Sequence, residues 1–147
     1  MMNTLSARWS LLFLLLAVPA MAANRLLLID APATAGAGTT VHVTVAASTT
    51  ATDGEQIGFF QAEYSTDDGK TWNPVYAEKV GKSAKRAVDF QAGPKGSKAM
   101  VRARMAFRGG KAGDVDFAGK PIAWSGSWGR WDTPPAKVVT IEITAQP

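Results

Sequence analysis

The stretch VRARMAF, residues 101–107, decides the fold of this chain. Its apolar residues stand at every second position, and Arg102 and Arg104 lie between them. Because residues two apart along a β-strand share a face, this alternation predicts a strand with one buried and one solvated face, ended by Gly109-Gly110. Such a strand buries its apolar face only against another packed layer. Solvation of the sheet face is the expected role of both arginines, and the alternative is that they extend a binding site.

Six further segments have strand-like patterns and are separated by clusters of Gly, Pro, Asp and Ser. They are residues 26–29, 39–45, 57–64, 71–76, 87–92 and 137–144. No segment keeps the three-and-four spacing of an amphipathic helix for three turns. Seven strands, each with one face to bury, predict an all-β fold in which two sheets pack face to face.

A basic segment, residues 79–86, carries four cations in eight positions. We expect it to be a solvated loop or an edge strand that its lysines protect from aggregation.

Length and composition favour one globular domain. The chain has 147 residues, of which 46% are hydrophobic and 19% charged, and this usage argues against wholesale disorder. It contains no cysteine, which excludes disulfides, thiolate nucleophiles and thiolate metal sites.

The first 22 residues are predicted to be a secretory signal peptide. Arg8 precedes an apolar run over residues 11–20, and Ala20-Met21-Ala22 has the small-x-small pattern of a cleavage site. Cleavage would leave a domain of residues 23–147, periplasmic or secreted, with no membrane span. That domain has 15 basic and 12 acidic residues, and this excess is too small to predict nucleic-acid binding.

The middle of the chain, residues 56–110, resembles immunoglobulin-like and fibronectin type III modules. The residues that carry the resemblance are Ile57, Phe60, Ala62, Tyr64, Trp72, the turn Gly93-Pro94, residues 101–104 and Gly109-Gly110. The resemblance implies an immunoglobulin-like Greek-key β-sandwich of about seven strands.

The octapeptide STDDGKTW, residues 65–72, fits the pattern S-x-D-x-G-x-T-W of the Asp-box. It resembles the hairpin turns of sialidase and other propeller blades, and a turn in immunoglobulin-like domains attached to secreted or periplasmic enzymes. A propeller would repeat the motif in each blade, and here it occurs once, which argues against a sialidase. We expect a positive φ at Gly69, turn amides bound by Asp67, and Trp72 packed in the core.

No catalytic constellation can be assembled from the sequence. His42, the one histidine, is expected on the solvent side of its strand, and Ser127 lacks the first glycine of a nucleophile elbow. Asp114 and Asp116 could join Asp67 as calcium ligands, but no calcium-loop pattern contains them. We therefore predict no enzymatic activity, no cofactor and no metal.

The connection between residues 108 and 137 is the segment most suggestive of function. It holds Trp124, Trp128 and Trp131, three of the five tryptophans, with Arg130 among them. These four residues are the predicted binding site, because aromatic rings and arginine form partner-binding platforms. The competing structural interpretation, which the usual burial of tryptophan favours, is that the rings pack in the core or as a cap on the sandwich. We predict an exported, non-catalytic binding or accessory module that contacts a protein partner in the cell envelope or outside the cell. The alternatives are carbohydrate binding by the same tryptophans and a small hydrolase.

Overall fold

The computed structural model of the protein describes residues 24–112, Trp124 and residues 136–146. Strands make up 62% of these residues and no α-helix occurs among them, which confirms the all-β prediction. The strands are β1 (Arg25–Asp30), β2 (Thr34–Gly36), β3 (Thr40–Thr49), β4 (Gln56–Ser65), β5 (Asn73–Glu78), β6 (Ser83–Gln91), β7 (Lys98–Arg108) and β8 (Lys137–Thr144). A short 3-10 helix, Gly110–Ala112, follows β7. The predicted signal peptide lies outside the described residues.

Two sheets form a sandwich. One has the strand order β1-β3-β6, and the other has the order β2-β8-β7-β4-β5. All neighbouring strands are antiparallel except β2, which pairs parallel with β8. The predicted sandwich is therefore present, and it places the outer faces of β4 and β7 in the middle of the five-stranded sheet.

The described strands number eight, one more than the seven predicted. The additional strand, β2, has only three small residues and no apolar alternation, so the sequence pattern does not reveal it. It forms because the chain leaves β1 and crosses to the other sheet, where Ala35 lies opposite Ile143.

The core lies between the sheets and draws alternate residues from both. Leu27, Val43 and Val88 come from the three-stranded sheet, and Phe60 and Ile141 come from the other. The rings of Tyr64 and Phe90 stack across the interface with centroids 4.7 Å apart. The prediction that the alternating apolar residues of 101–107 face the core is confirmed, because all four of them are fully buried.

The prediction for the outer face of β7 is wrong. Arg104 is 7% exposed and Ala106 is fully buried, whereas the alternation predicted solvated positions. Gln61 and Glu63 on the outer face of β4 are also buried. The physical reason is that polar side chains on these two strands pair with one another beneath aromatic rings, as the site below shows.

Strand boundaries also differ from the sequence prediction. β3 extends to Thr49 instead of ending at residue 45, and β7 begins at Lys98 instead of residue 101. The strand expected at residues 71–76 is Asn73–Glu78, and the one expected at 87–92 is Ser83–Gln91. The latter begins earlier because β6 pairs with β3 as far as Ser48, opposite Ser83. Residues 83–86 of the basic segment 79–86 therefore lie in an edge strand, which is one of the two structures expected for that segment, the other being a solvated loop.

A largely buried ion pair links β1 to Glu55, the residue before β4. Arg25 donates to Glu55, with its Nε 3.1 Å from Oε1, and its guanidinium carbon lies 4.3 Å from the ring centroid of Phe107. The hydroxyl of Thr49 donates to the same carboxylate at 2.6 Å. The bond from Arg25 lowers the pKa of Glu55 below its ordinary value of 4.5, against the opposing effect of burial.

The edges of β5 and β6 are bridged along one flank of the sandwich. The hydroxyl of Tyr76 donates to the carbonyl of Ala87, and Nε of Arg86 donates to Oε1 of Glu78 at 2.7 Å. The bond from Tyr76 occupies one backbone carbonyl at the edge of β6, which lies at the opposite side of its sheet from β1.

Candidate binding site

The turn between β4 and β5 is organised by Asp67. Its carboxylate accepts bonds from the amide of Thr71 at 2.9 Å, the hydroxyl of Thr71 at 2.6 Å and the hydroxyl of Ser65 at 2.7 Å. These bonds, those from Thr71 first, lower the pKa of Asp67 from 3.8 to about 2. The predicted role of Asp67 as acceptor is confirmed, and so is the positive φ of Gly69, at 78°.

Trp72 at the end of this turn is not a core residue, contrary to the prediction. Its indole N–H donates to the carbonyl of Gly69 at 3.0 Å, and its ring is half-buried on the outer side of the five-stranded sheet. The guanidinium carbon of Arg102 lies 3.8 Å from its ring centroid. Because Arg102 projects from the outer face of β7, a ring that stacks on it cannot enter the sandwich.

Arg102 is held between two tryptophans and a carboxylate. Its guanidinium carbon lies 4.2 Å from the ring centroid of Trp124, in addition to its contact with Trp72. Glu63 on β4, directly opposite in register, accepts its Nε–H at 2.8 Å. The ion pair is largely buried, so the guanidinium is fixed in direction while it contacts both rings.

Arg104 forms the second level of the site. Its guanidinium carbon lies 4.4 Å from the ring centroid of Trp124, and Nη1 donates to the carbonyl of Trp124 at 3.0 Å. Nη2 donates to Oε1 of Gln61 at 3.3 Å, and Nε2 of Gln61 donates to Glu63 at 2.9 Å. Burial lowers the pKa of Arg104 from 12.5 to about 10, an effect that the charge of Glu63 opposes.

We call Trp72, Arg102, Arg104 and Trp124 the Trp–Arg stack. Of the predicted site residues, Trp124 belongs to it and is half-buried. The other three predicted site residues, Trp128, Arg130 and Trp131, lie outside the described residues.

The sequence analysis missed Trp72 as a site residue and expected both arginines to be solvated. It also missed Gln61 and Glu63, whose signal was present in β4. Polar residues at alternate positions of a strand that is otherwise apolar, facing two arginines on another strand, indicate a buried polar pairing.

The described groups of the Trp–Arg stack are suited to noncovalent contact. The stack offers indole surface and positive charge, and the carboxylate of Glu63 fixes the guanidinium of Arg102. His42 lies on the outer face of the other sheet, where its Nδ1 is 3.0 Å from Oδ1 of Asp89, and its side chain is 75% exposed. The predicted solvent-side position of His42 is thus confirmed.

The described residues contain no group of three or more His, Cys, Asp or Glu placed to hold a metal ion. Ser127, Asp114 and Asp116 lie outside them. In the part of the chain that the structure describes, no helix is long and apolar enough to cross a membrane.

No protein-family model matches the chain, and no curated protein matches it significantly. Its function is therefore inferred from the residues themselves.

Proposed function

We propose that the protein is an exported, non-catalytic binding module that contacts a protein partner through the Trp–Arg stack and the adjoining residues 124–131. The observation that carries the proposal is the position of Arg102 between two half-buried tryptophans on the outer face of a sheet. Tryptophan and arginine dominate the binding energy of protein interfaces because they contribute large contact areas and directed charge at once.

The stack is preorganised for contact. Glu63 fixes the guanidinium of Arg102, Gln61 joins that carboxylate to Arg104, and Arg104 holds the backbone of Trp124. Rings that are already fixed lose little conformational freedom when a partner binds, so more of the contact energy is retained as affinity.

Carbohydrate binding is the second candidate, and the geometry favours it less. A sugar ring stacks on an open aromatic face, and a guanidinium already lies over the ring of Trp72 and over that of Trp124. A protein surface can instead contact ring edges and the arginine between them. A hydrolase has less support still, since the pair of His42 and Asp89 lies on an open, exposed face.

The proposed scaffold is immunoglobulin-like. Its support is the strand order, in which β3 neighbours β6 in one sheet and β4 neighbours β7 in the other, so that the chain crosses repeatedly between layers. Export rests on the signal-peptide pattern of residues 1–22.

The experiment uses the exported chain with a photo-crosslinking residue at position 128, and a second chain with the same residue at the exposed position Val75. We expect a discrete crosslinked protein from the envelope fraction at position 128 and none at position 75. Trp128→Ala in the purified protein should abolish binding of that crosslinked partner and leave the melting temperature nearly unchanged. A large fall in melting temperature would show that the ring is packed in the core and would overturn the proposal. Binding to a glycan array, lost in Trp128→Ala, would favour carbohydrate.

A further inference from the structure

The strand β1 has one side on which no described strand pairs with it. The amide of Thr50 donates to the carbonyl of Asn24 at 3.0 Å, and Leu26 and Leu28 occupy alternate positions of the same ladder. Opposite residues in an antiparallel ladder alternate between bonded and non-bonded pairs, so both leucines bond to β3 through their backbones.

The intervening residues of β1 therefore direct their backbone groups to the open side. These residues are Arg25, Leu27 and Ile29. The bonds between β3 and β6 lead to the same assignment independently. The amide of Thr49 donates to the carbonyl of Lys82 on the β6 side at 2.9 Å, so Thr49 does not bond to Arg25, its opposite residue in β1. β1 thus presents a row of hydrogen-bonding groups that another strand could use.

The side chains beside this row are apolar and exposed. Leu26 is 41% exposed and Leu28 is 50% exposed, both on the outer face of the three-stranded sheet. No charge or proline interrupts β1 between Arg25 and Asp30. The other long edges differ, since β5 contains Pro74 and β6 carries Lys85 and is bound by Tyr76. Lysine, proline and inward-pointing charges are devices that keep edge strands from pairing. β1 contains no lysine or proline, and its inward charge, Arg25, lies at the end of the strand and is paired with Glu55.

We propose that two copies of this chain pair through their β1 strands, antiparallel and centred on Leu27, to form a continuous six-stranded sheet. This register joins Leu27 to its counterpart and Arg25 to Ile29 through backbone bonds. It also places Leu26 of each copy opposite Leu28 of the other, so that four leucines cover one another on the outer face.

The occupant is a second copy because β1 is complementary to itself in this register alone. A pairing centred on Leu28 would place Leu26 opposite Asp30, and one centred on Leu26 would place Leu28 opposite Asn24. In the register centred on Leu27, both exposed leucines lie opposite a leucine of the other copy. The contact is isologous, because both partners use the same strand, as in a two-fold symmetric dimer. The Trp–Arg stack lies on the other sheet, so this proposal and the proposed function are tested separately.

The test measures the mass of the exported chain in solution by sedimentation equilibrium over a range of concentrations. We expect a reversible dimer for the wild type, a monomer for Leu28→Lys and a dimer for Val75→Lys. Val75 is the matched control, because it is an apolar residue, 37% exposed, on the edge strand β5. All three proteins should have similar melting temperatures, since both substitutions are at exposed positions.

Amide hydrogen exchange gives a second readout at single-residue level. As the protein concentration rises, exchange should slow at Leu27 and Ile29 and stay constant at Leu28, whose amide already bonds to β3. A wild type that stays monomeric at NMR concentrations, or a dimer lost in Val75→Lys and kept in Leu28→Lys, would overturn the proposal. Protection of the β1 amides only on addition of a different protein would also overturn self-pairing and assign the edge to a foreign strand.

Discussion

Arg102 of β7 lies over the indole of Trp124, with its guanidinium carbon 4.2 Å from the ring centroid. This contact attaches Trp124 to the middle of the five-stranded sheet, and the same guanidinium attaches Trp72 from the turn before β5. One arginine therefore joins three separate parts of the chain on the outer face of this sheet.

Replacement of Arg102 by lysine should weaken this face. Lysine keeps the charge but lacks the planar guanidinium that stacks on both rings and bonds Glu63 through Nε. We expect the free energy of unfolding to fall by about 1–2 kcal/mol and the tryptophan fluorescence to shift. Urea unfolding followed by fluorescence measures both.

The control is Arg86→Lys, which changes a more exposed arginine paired with Glu78. Exposed pairs contribute about 0–1 kcal/mol, so its effect should be small. Equal losses in the two variants would contradict a stabilising role for the stack.

Removal of the carboxylate of Glu55 should destabilise the contact between β1 and the start of β4. Glu55→Ala leaves the guanidinium of Arg25 without its buried partner, and we expect a loss of about 3 kcal/mol in the free energy of unfolding. Glu142→Ala is the control, because its pair with Lys98 is exposed at 3.5 Å and should contribute less than about 1 kcal/mol. Chemical denaturation of both variants compares the two, and a loss for Glu55→Ala no larger than the control's would refute the assignment.

Asp67 should make stability depend on pH in the acid range. The pKa of its carboxyl is about 2 in the folded protein, below its ordinary value of 3.8. A depressed carboxyl pKa stabilises the fold at pH values above the ordinary one, and this contribution is lost as the pH falls from 3.8 towards 2. Urea midpoints measured across this range should decline less steeply in Asp67→Asn than in the wild type. Parallel declines would show that Asp67 does not couple folding to protonation.

Two glycines should respond in opposite directions to substitution by alanine. Gly69 has a φ of 78° and a Cβ would lie 3.1 Å from the sulfur of Met100, so Gly69→Ala should cost about 1–2 kcal/mol. Gly81 has no such φ and has open space around it, so Gly81→Ala should be neutral or stabilising by up to about 1 kcal/mol. Thermal unfolding of the pair checks the turn geometry, and a stable Gly69→Ala would contradict it.

The sandwich was predictable because the strongest signals were local. Alternation in β7 and β8 is set by burial on one face, and the structure confirms Lys137–Thr144 as a strand with the bounds predicted. β2 was not predictable, since three small residues carry no periodicity. It exists through its parallel pairing with β8, which follows it by about a hundred residues.

The site was predictable only in part. Clustering of tryptophan and arginine indicates Trp124, but the Asp-box resemblance implies that Trp72 packs beneath its turn in the core, and the structure places it on the outer face. Which face receives the ring depends on the register of β4 and β7, which places Arg102 opposite Glu63. That relationship joins residues 39 positions apart, so the alternating polar residues of β4 suggest a polar pairing but do not identify the partner of each residue.

The phenol of Tyr76, bound to the carbonyl of Ala87, has a consequence for how large an assembly can grow. Because this bond occupies a backbone carbonyl on the outer side of β6, a new strand meets more obstruction there than at β1. In the proposed pairing each copy uses its single β1 strand and both copies use the same surface, so this contact closes at two molecules and does not by itself propagate into a fibril.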